Sequence, residues 1–121
     1  MGIVAFELPL PSPKLSPNAR VHWGAKSKAV SRARRDSAIV AASVKHPTCP
    51  WKSATLQYVF TFRENRNRDE DNLISQCKAY QDGIADAGIV ENDYQLTLLP
   101  IIVTVPSKTK HGVGVIITQV E

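Results

Sequence analysis

The chain has 121 residues, of which 43% are hydrophobic and 21% charged, with a formal net charge of +4 at pH 7. This composition is typical of one globular domain and excludes a chain that is disordered throughout. The N-terminal stretch lacks the basic start of a signal peptide, and the uncharged run over residues 94–107 is too short to cross a bilayer. We therefore expect a soluble cytoplasmic protein with no membrane contact.

The first half of the chain predicts two strands around one helix. Residues 3–10 are apolar and β-prone, residues 21–29 mix basic and aromatic side chains as a loop does, and residues 31–45 carry apolar side chains at helical spacing. Residues 54–62 alternate as a strand, with Leu56, Tyr58, Phe60 and Phe62 on one side.

The second half predicts a helix followed by two strands. Residues 71–87 predict a second helix, because apolar side chains from Leu73 to Ala87 form a stripe at helical spacing. Gly88 is expected to end this helix. Residues 95–105 read as a strand bent at Pro100, and residues 113–120 as a closing strand joined to it in a hairpin. We predict an α+β fold over residues 1–121, a single small domain in the order β-α-β-α-β-β, with a mixed sheet and two helices packed on it.

Two cysteines, Cys49 and Cys77, lack the Cys or His neighbours that a zinc site needs. We expect two free buried thiols in a reducing compartment. Charge is unevenly divided, because no acidic residue lies between Lys14 and Arg35, whereas most acidic residues lie between Glu64 and Asp93. A basic segment suits phosphate groups, and an acidic one suits a cation.

Three consecutive acids, Asp69, Glu70 and Asp71, repel one another unless a cation neutralises them. Mg²⁺ takes carboxylate oxygens, and the spacing of Asp69 and Asp71 puts both on one side of an extended segment. The alternative is a helix N-terminus that favours acids without a metal, with Asp71 or Asn72 as its cap. These residues alone do not decide between the two.

A polar helix face follows the acids, since Asp71, Ser75, Lys78 and Asp82 are spaced by four, three and four residues. Lys78 could contact a phosphate bound at a metal. The alternative is a solvated face with a Lys78–Asp82 ion pair. Asp93 could add a third carboxylate, although turn chemistry explains it equally well.

Five separated features occur in one order: Asp69-Glu70-Asp71-Asn72-Leu73, Lys78, Asp82-Gly83, Ala87-Gly88-Ile89-Val90 and Asn92-Asp93. Together they resemble the RusA family of crossover-junction endodeoxyribonucleases, which resolve Holliday junctions. The segment from Pro11 through Asn18 to Trp23 is similar to that family's N-terminal opening, so the likeness covers nearly the whole chain.

The resemblance implies a homodimer that binds four-way or branched DNA and nicks two opposing strands with Mg²⁺ or Mn²⁺. The metal ligands would be Asp69, Asp71 and Asp93, and Lys78 would match the family's essential lysine, so these four form the expected catalytic set. Two departures stand out. Asn92 replaces the first acid of a usual Asp-Asp pair, and Lys78 follows Asp71 by seven residues where some members have four. Both spacings return to the same helix face.

Phosphate contacts are expected from the basic segment and from a second lysine pair late in the chain. Trp23 could stack on an unpaired base, or it could pack as an ordinary core or interface residue. The expected DNA-binding residues are Asn18, Arg20, Trp23, Lys26, Lys28, Arg32, Arg35, Lys108 and Lys110.

Two alternatives to a junction nuclease remain open. One is a branched-DNA-binding protein of the same fold with weak or no catalysis, which Asn92 favours. The other is a metal-dependent hydrolase of small phosphate compounds, against which the basic segment argues.

Overall fold

The computed structural model describes residues 2–17, 19–44, 47–65 and 68–120. Along these residues, the α-helices and strands are β1 (Ile3–Leu8), α1 (Trp23–Ser43), β2 (Ala54–Thr61), α2 (Glu70–Gln76), α3 (Lys78–Asp86), β3 (Leu96–Leu98), β4 (Ile102–Val103) and β5 (Gly112–Gln119). Short 3-10 helices cover Pro13–Leu15 and Asp93–Gln95. The predicted α+β fold with a mixed sheet is confirmed. None of the described helices combines the length and apolar character needed to cross a bilayer.

The sheet has β5 between β1 and β2, antiparallel to both, so that Val115 lies opposite Phe6 on one side and Tyr58 on the other. β3 and β4 pair in parallel with the outer edge of β2, before and after Pro100. The predicted hairpin between the last two strands is therefore wrong. β5 has a strict inward apolar alternation that suits a central position, whereas β3 and β4 are short and mostly exposed.

One face of the sheet is buried beneath the helices. Leu56, Tyr58, Phe60, Val115 and Ile117 are at most 1% exposed and form the centre of one continuous core. The alternation predicted for β2 is therefore confirmed. Because side chains alternate along each strand, the opposite face carries the intervening residues, which are only partly covered.

α1 begins at Trp23 rather than in the predicted range 31–45, so the loop expected over residues 21–29 is wrong beyond Val21 and His22. The N–H of Gly24 donates to Nδ1 of His22 at 3.1 Å, which caps the helix. Histidine is not among the preferred capping residues, so this start gives little sequence signal. The helix ends at Ser43.

The single helix predicted over residues 71–87 is two helices that meet at Cys77. The N–H of Cys77 donates to the carbonyl of Ile74 at 3.0 Å, three residues back, which closes α2 with a tighter turn. Cys77 is buried, and burial raises the pKa of its thiol to about 12. Cys49 is exposed, so the expectation of two buried thiols holds only for Cys77.

α1 and α3 pack closely around Gly83. A Cβ placed on Gly83 would lie 2.3 Å from the carbonyl oxygen of Arg34 and 2.7 Å from Cβ of Ser37. The buried Ser37 hydroxyl donates to the carbonyl of Tyr80 at 2.8 Å. Arg34 also reaches across to Asp86, with Nε–Oδ2 at 2.6 Å and Nη2–Oδ1 at 2.8 Å, and this bidentate contact lowers the pKa of Asp86.

Gly83→Ala is expected to lower the free energy of unfolding by about 1–3 kcal/mol, because the added methyl group meets backbone atoms of α1 that cannot move aside. The loss should occur although alanine favours a helix over glycine by about 1 kcal/mol. Urea unfolding followed by circular dichroism measures it.

Gly24→Ala is the matched control, because its nearest neighbour is the side chain of His22 at 3.2 Å, and the change in unfolding free energy should stay below about 1 kcal/mol. A Gly83→Ala protein as stable as the parent would contradict the described packing.

Candidate active site

The acidic cluster forms the N-terminus of α2. Asp69 is the cap, and its Oδ1 accepts the N–H of Asp71 at 2.9 Å. This corrects the expectation that Asp71 or Asn72 is the cap. Glu70 and Asp71 lie in the first turn, where the helix dipole favours negative charge, and all three acids are exposed. Capping and dipole therefore account for part of this cluster without a metal.

Lys78 links α3 to the turn that carries Asp93. It is the first residue of α3, its side chain is 58% exposed, and its Nζ donates to Oδ1 of Asp82 at 3.0 Å. The same Nζ contacts Oδ2 of Asp93. Hydrogen bonding to Asp93 raises the pKa of Lys78, and the same contact lowers the pKa of Asp93. The predicted Lys78–Asp82 pair is present, and Asp93 joins it from a distant part of the chain.

Asp93 is held in place by the turn around it. It starts the 3-10 helix Asp93–Gln95, where the N–H of Asn92 donates to Oε1 of Gln95 at 2.8 Å. The N–H of Gln95 returns to the carbonyl of Asn92 at 3.1 Å. Both contacts use backbone atoms of Asn92, so the turn would accept the ionisable side chain that the family pattern carries at this position.

The three carboxylates expected to bind a metal do not meet in one place. Within the described ranges, no three His, Cys, Asp or Glu side chains lie together in a group that could hold a metal ion. Asp69 and Asp71 lie together on α2, whereas Asp93 pairs with Lys78. Their oxygens are the ligands that Mg²⁺ prefers, but this arrangement is not an assembled metal site.

Two hollows lie beside these groups. One, of about 910 Å³, is lined by Asp69 and Asn72 together with the segment after β1. The other, of about 260 Å³, is lined by Ser75, Lys78 and Asp82. Three residues of the predicted polar face, Ser75, Lys78 and Asp82, line the smaller hollow together, although Ser75 lies on α2 and the other two lie on α3.

The basic segment contacts this region through α1. Lys26 lines the smaller hollow beside Lys78 and Asp82. Lys28 and Arg32 line a separate groove on the same helix, while Arg20 and Arg35 are exposed. Asn18 lies outside the described residues. Trp23 is 77% exposed, so it is not a core residue.

The late lysines lie elsewhere. Lys108 and Lys110 are exposed on the connection between β4 and β5, not at the tip of the predicted hairpin. Lys110 lines a hollow with Glu7, Val59 and Gly114 on the open face of the sheet. Among the described residues, that hollow shares no lining side chain with those around Asp69 and Lys78.

Sequence reasoning missed two features of the site. The first is the contact of Lys78 with Asp93, which no local spacing reveals. The second is Lys14, which lines both the large hollow beside Asp69 and the groove beside Lys28. It is the first cation of the basic segment, but it is not among the individual residues expected to contact DNA.

A comparison with known proteins finds an uncharacterized protein of Xylella fastidiosa (strain Temecula1 / ATCC 700964) that is 37% identical over 118 residues. The match covers 94% of this chain and 74% of that protein. No family model matches the chain. At this identity and coverage, the chain belongs to the same family as the uncharacterized Xylella protein.

Proposed function

We propose that this protein is a Mg²⁺-dependent, structure-selective DNA endonuclease that resolves four-way junctions by paired nicks. The observation that carries the proposal is the cluster of the exposed Lys78 with the partly buried Asp82 and Asp93, at the positions where the RusA-like pattern has its lysine and late carboxylate. We place the activity in the cytoplasm, where the exposed Cys49 stays reduced.

Lys78 is the residue whose role follows most directly from the geometry. Its Nζ is exposed at a hollow that the basic helix α1 also lines through Lys26, so a phosphate could reach both cations. A positioned ammonium group stabilises negative charge that develops on a phosphate during hydrolysis. Asp82, one turn further along α3, orients this ammonium group.

Mg²⁺, or Mn²⁺ in its place, would supply charge relief and an activated water. Asp69, Asp71 and Asp93 are the carboxylates we expect to hold it. A second candidate function is branched-DNA binding without cleavage. Two observations favour it: these carboxylates lie apart, and Asn92 occupies a position where the family pattern has an acid.

Paired nicks need two active sites, so the proposal includes a homodimer, and the open face of the sheet is the surface we assign to it. Along β1, β5 and β2, the described side chains on this face include one ionisable residue, Glu7. Gly114 lies near its centre in regular register with Glu7 and Val59, without a bulge.

The chain itself does not require glycine at position 114. A Cβ there would approach nothing closer than Cβ of Val59 at 3.5 Å, an ordinary contact. Glycine weakens a strand and often marks close approach by another backbone. A second copy packed on this face accounts for the glycine and for the low number of charged side chains, because a face-to-face pair of sheets buries it symmetrically, with Glu7 and Lys110 beside Gly114 as its charged groups.

Lys78→Gln is expected to slow nicking of a synthetic four-way junction in Mg²⁺ by about 10²–10³-fold, because one charged donor to the phosphate is lost. Asp71→Asn should also slow nicking, because it removes a carboxylate expected to hold the metal. End-labelled junctions separated on denaturing gels measure the rate.

Lys52→Gln and Glu91→Gln are matched controls, since each makes the same change of charge at an exposed residue outside the cluster. Both should nick at the parent rate. Parent rates in Lys78→Gln and Asp71→Asn contradict the proposed site. Junction binding that ignores Mg²⁺ and produces no nicks in the parent protein supports the second candidate.

Gly114→Lys is expected to convert a dimer into single chains of 13.3 kDa, because a buried charge would face its symmetry mate. Light scattering after gel filtration measures the mass. Ala42→Lys, which adds the same charge at an exposed position of α1, should remain dimeric. A monomeric parent protein, or a dimeric Gly114→Lys, rules out this interface.

A further inference from the structure

A short segment after β1 separates a basic groove from the hollow beside Asp69, whose other charged lining residues are Lys14 and Arg68. The segment is attached to the core at both ends. Tyr80 Oη donates to the carbonyl of Pro9 at 2.7 Å, and Leu15 is buried. Its own turn is closed by the N–H of Leu15, which donates to the carbonyl of Ser12 at 2.9 Å. Lys14 projects from this fixed turn and is exposed.

The groove on one side of the segment has a volume of about 730 Å³ and an excess of positive charge. Its lining includes the cations Lys14, Lys28 and Arg32, and one acid, Asp36. Lys28 and Arg32 are four residues apart on α1, so their charges are neighbours and repel each other. Among the described residues, these three cations form no ion pair, and an anion in the groove would relieve their repulsion.

Lys14 connects this groove to the hollow beside Asp69. It lines the hollow of about 910 Å³ that contains Asp69 and Asn72, and it also lines the groove with Lys28 and Arg32. Lys14 is the charged residue common to both linings, so a chain of phosphates that runs from the groove into this hollow would pass within its reach. A single small anion would occupy one hollow only, so a connection between the two hollows favours an extended chain of phosphates.

We propose that the groove between α1 and the segment 9–15 binds the phosphodiester backbone of one nucleic-acid strand, and that Lys14 is the positioning residue that holds a phosphate at the hollow beside Asp69. This inference rests on the proposed DNA activity. It adds Lys14 to the expected contacts and assigns Lys28 and Arg32 to one continuous path.

The test measures binding of a fluorescent four-way junction in EDTA at several salt concentrations, so that cleavage plays no part. Loss of one phosphate contact should make the slope of log affinity against log salt shallower by about 0.9. Lys14→Gln should show this change together with about 3- to 10-fold weaker binding. Lys14→Arg, which keeps the charge, should restore both.

Lys52→Gln is the control for a general loss of charge, and it should bind with the parent's slope. A Lys14→Gln protein that matches Lys52→Gln in slope and affinity overturns the proposal. Saturable binding of inorganic phosphate that Lys14→Gln abolishes, with an unchanged DNA slope, also overturns it in favour of a free-anion site.

The same data separate this inference from the endonuclease itself. If Lys14→Gln has the expected shallower slope of log affinity against log salt but the parent makes no nicks in Mg²⁺, strand binding in the groove is supported and the proposed cleavage is contradicted. If the parent nicks junctions and Lys14→Gln binds DNA as the parent does, strand binding in the groove is contradicted and the proposed cleavage is supported. A parent protein that does not bind junction DNA overturns the groove as well.

Discussion

The close approach of α1 and α3 at Gly83 is the constraint on which the site depends. Any larger side chain there would meet the carbonyl of Arg34, so glycine allows the two helices to touch through their backbones. Ser37 and the Arg34–Asp86 pair then fix their relative position. Because α1 carries the basic residues and α3 begins with Lys78, this one contact sets the distance between the basic and acidic parts of the chain.

Charged side chains are balanced differently in the two parts of the site. At Lys78 the balance is internal, since the lysine pairs with both Asp82 and Asp93, which leaves one net negative charge on the three side chains. In the groove beside Lys14 it is not, because the described cations there outnumber the acids and form no ion pair among the described residues. This division agrees with the proposed path, in which a polyanion docks on α1 and passes Lys14 toward the hollow beside Asp69.

Local patterns predicted the parts of the structure that local forces decide. The alternation of Leu56, Tyr58 and Phe60 and the four-residue spacing of Lys78 and Asp82 both gave correct results. The parallel pairing of β3 and β4 with β2 and the contact of Asp93 with Lys78 depend on tertiary packing, which no short window of sequence contains. The α1 start was missed because its cap is His22, a residue with weak capping preference. The joint action of Asp69, Asp71 and Asp93 in binding a metal stays a prediction.

The most direct test of the account is incubation of the parent protein with four-way, duplex and single-stranded DNA of matched sequence, with Mg²⁺ and with EDTA. A structure-selective junction endonuclease should make paired nicks on opposing strands of the four-way junction in Mg²⁺, none in EDTA, and little cutting of the other two substrates. Absence of nicks in every substrate, or equal cutting of duplex and junction, would contradict a structure-selective endonuclease built around Lys78.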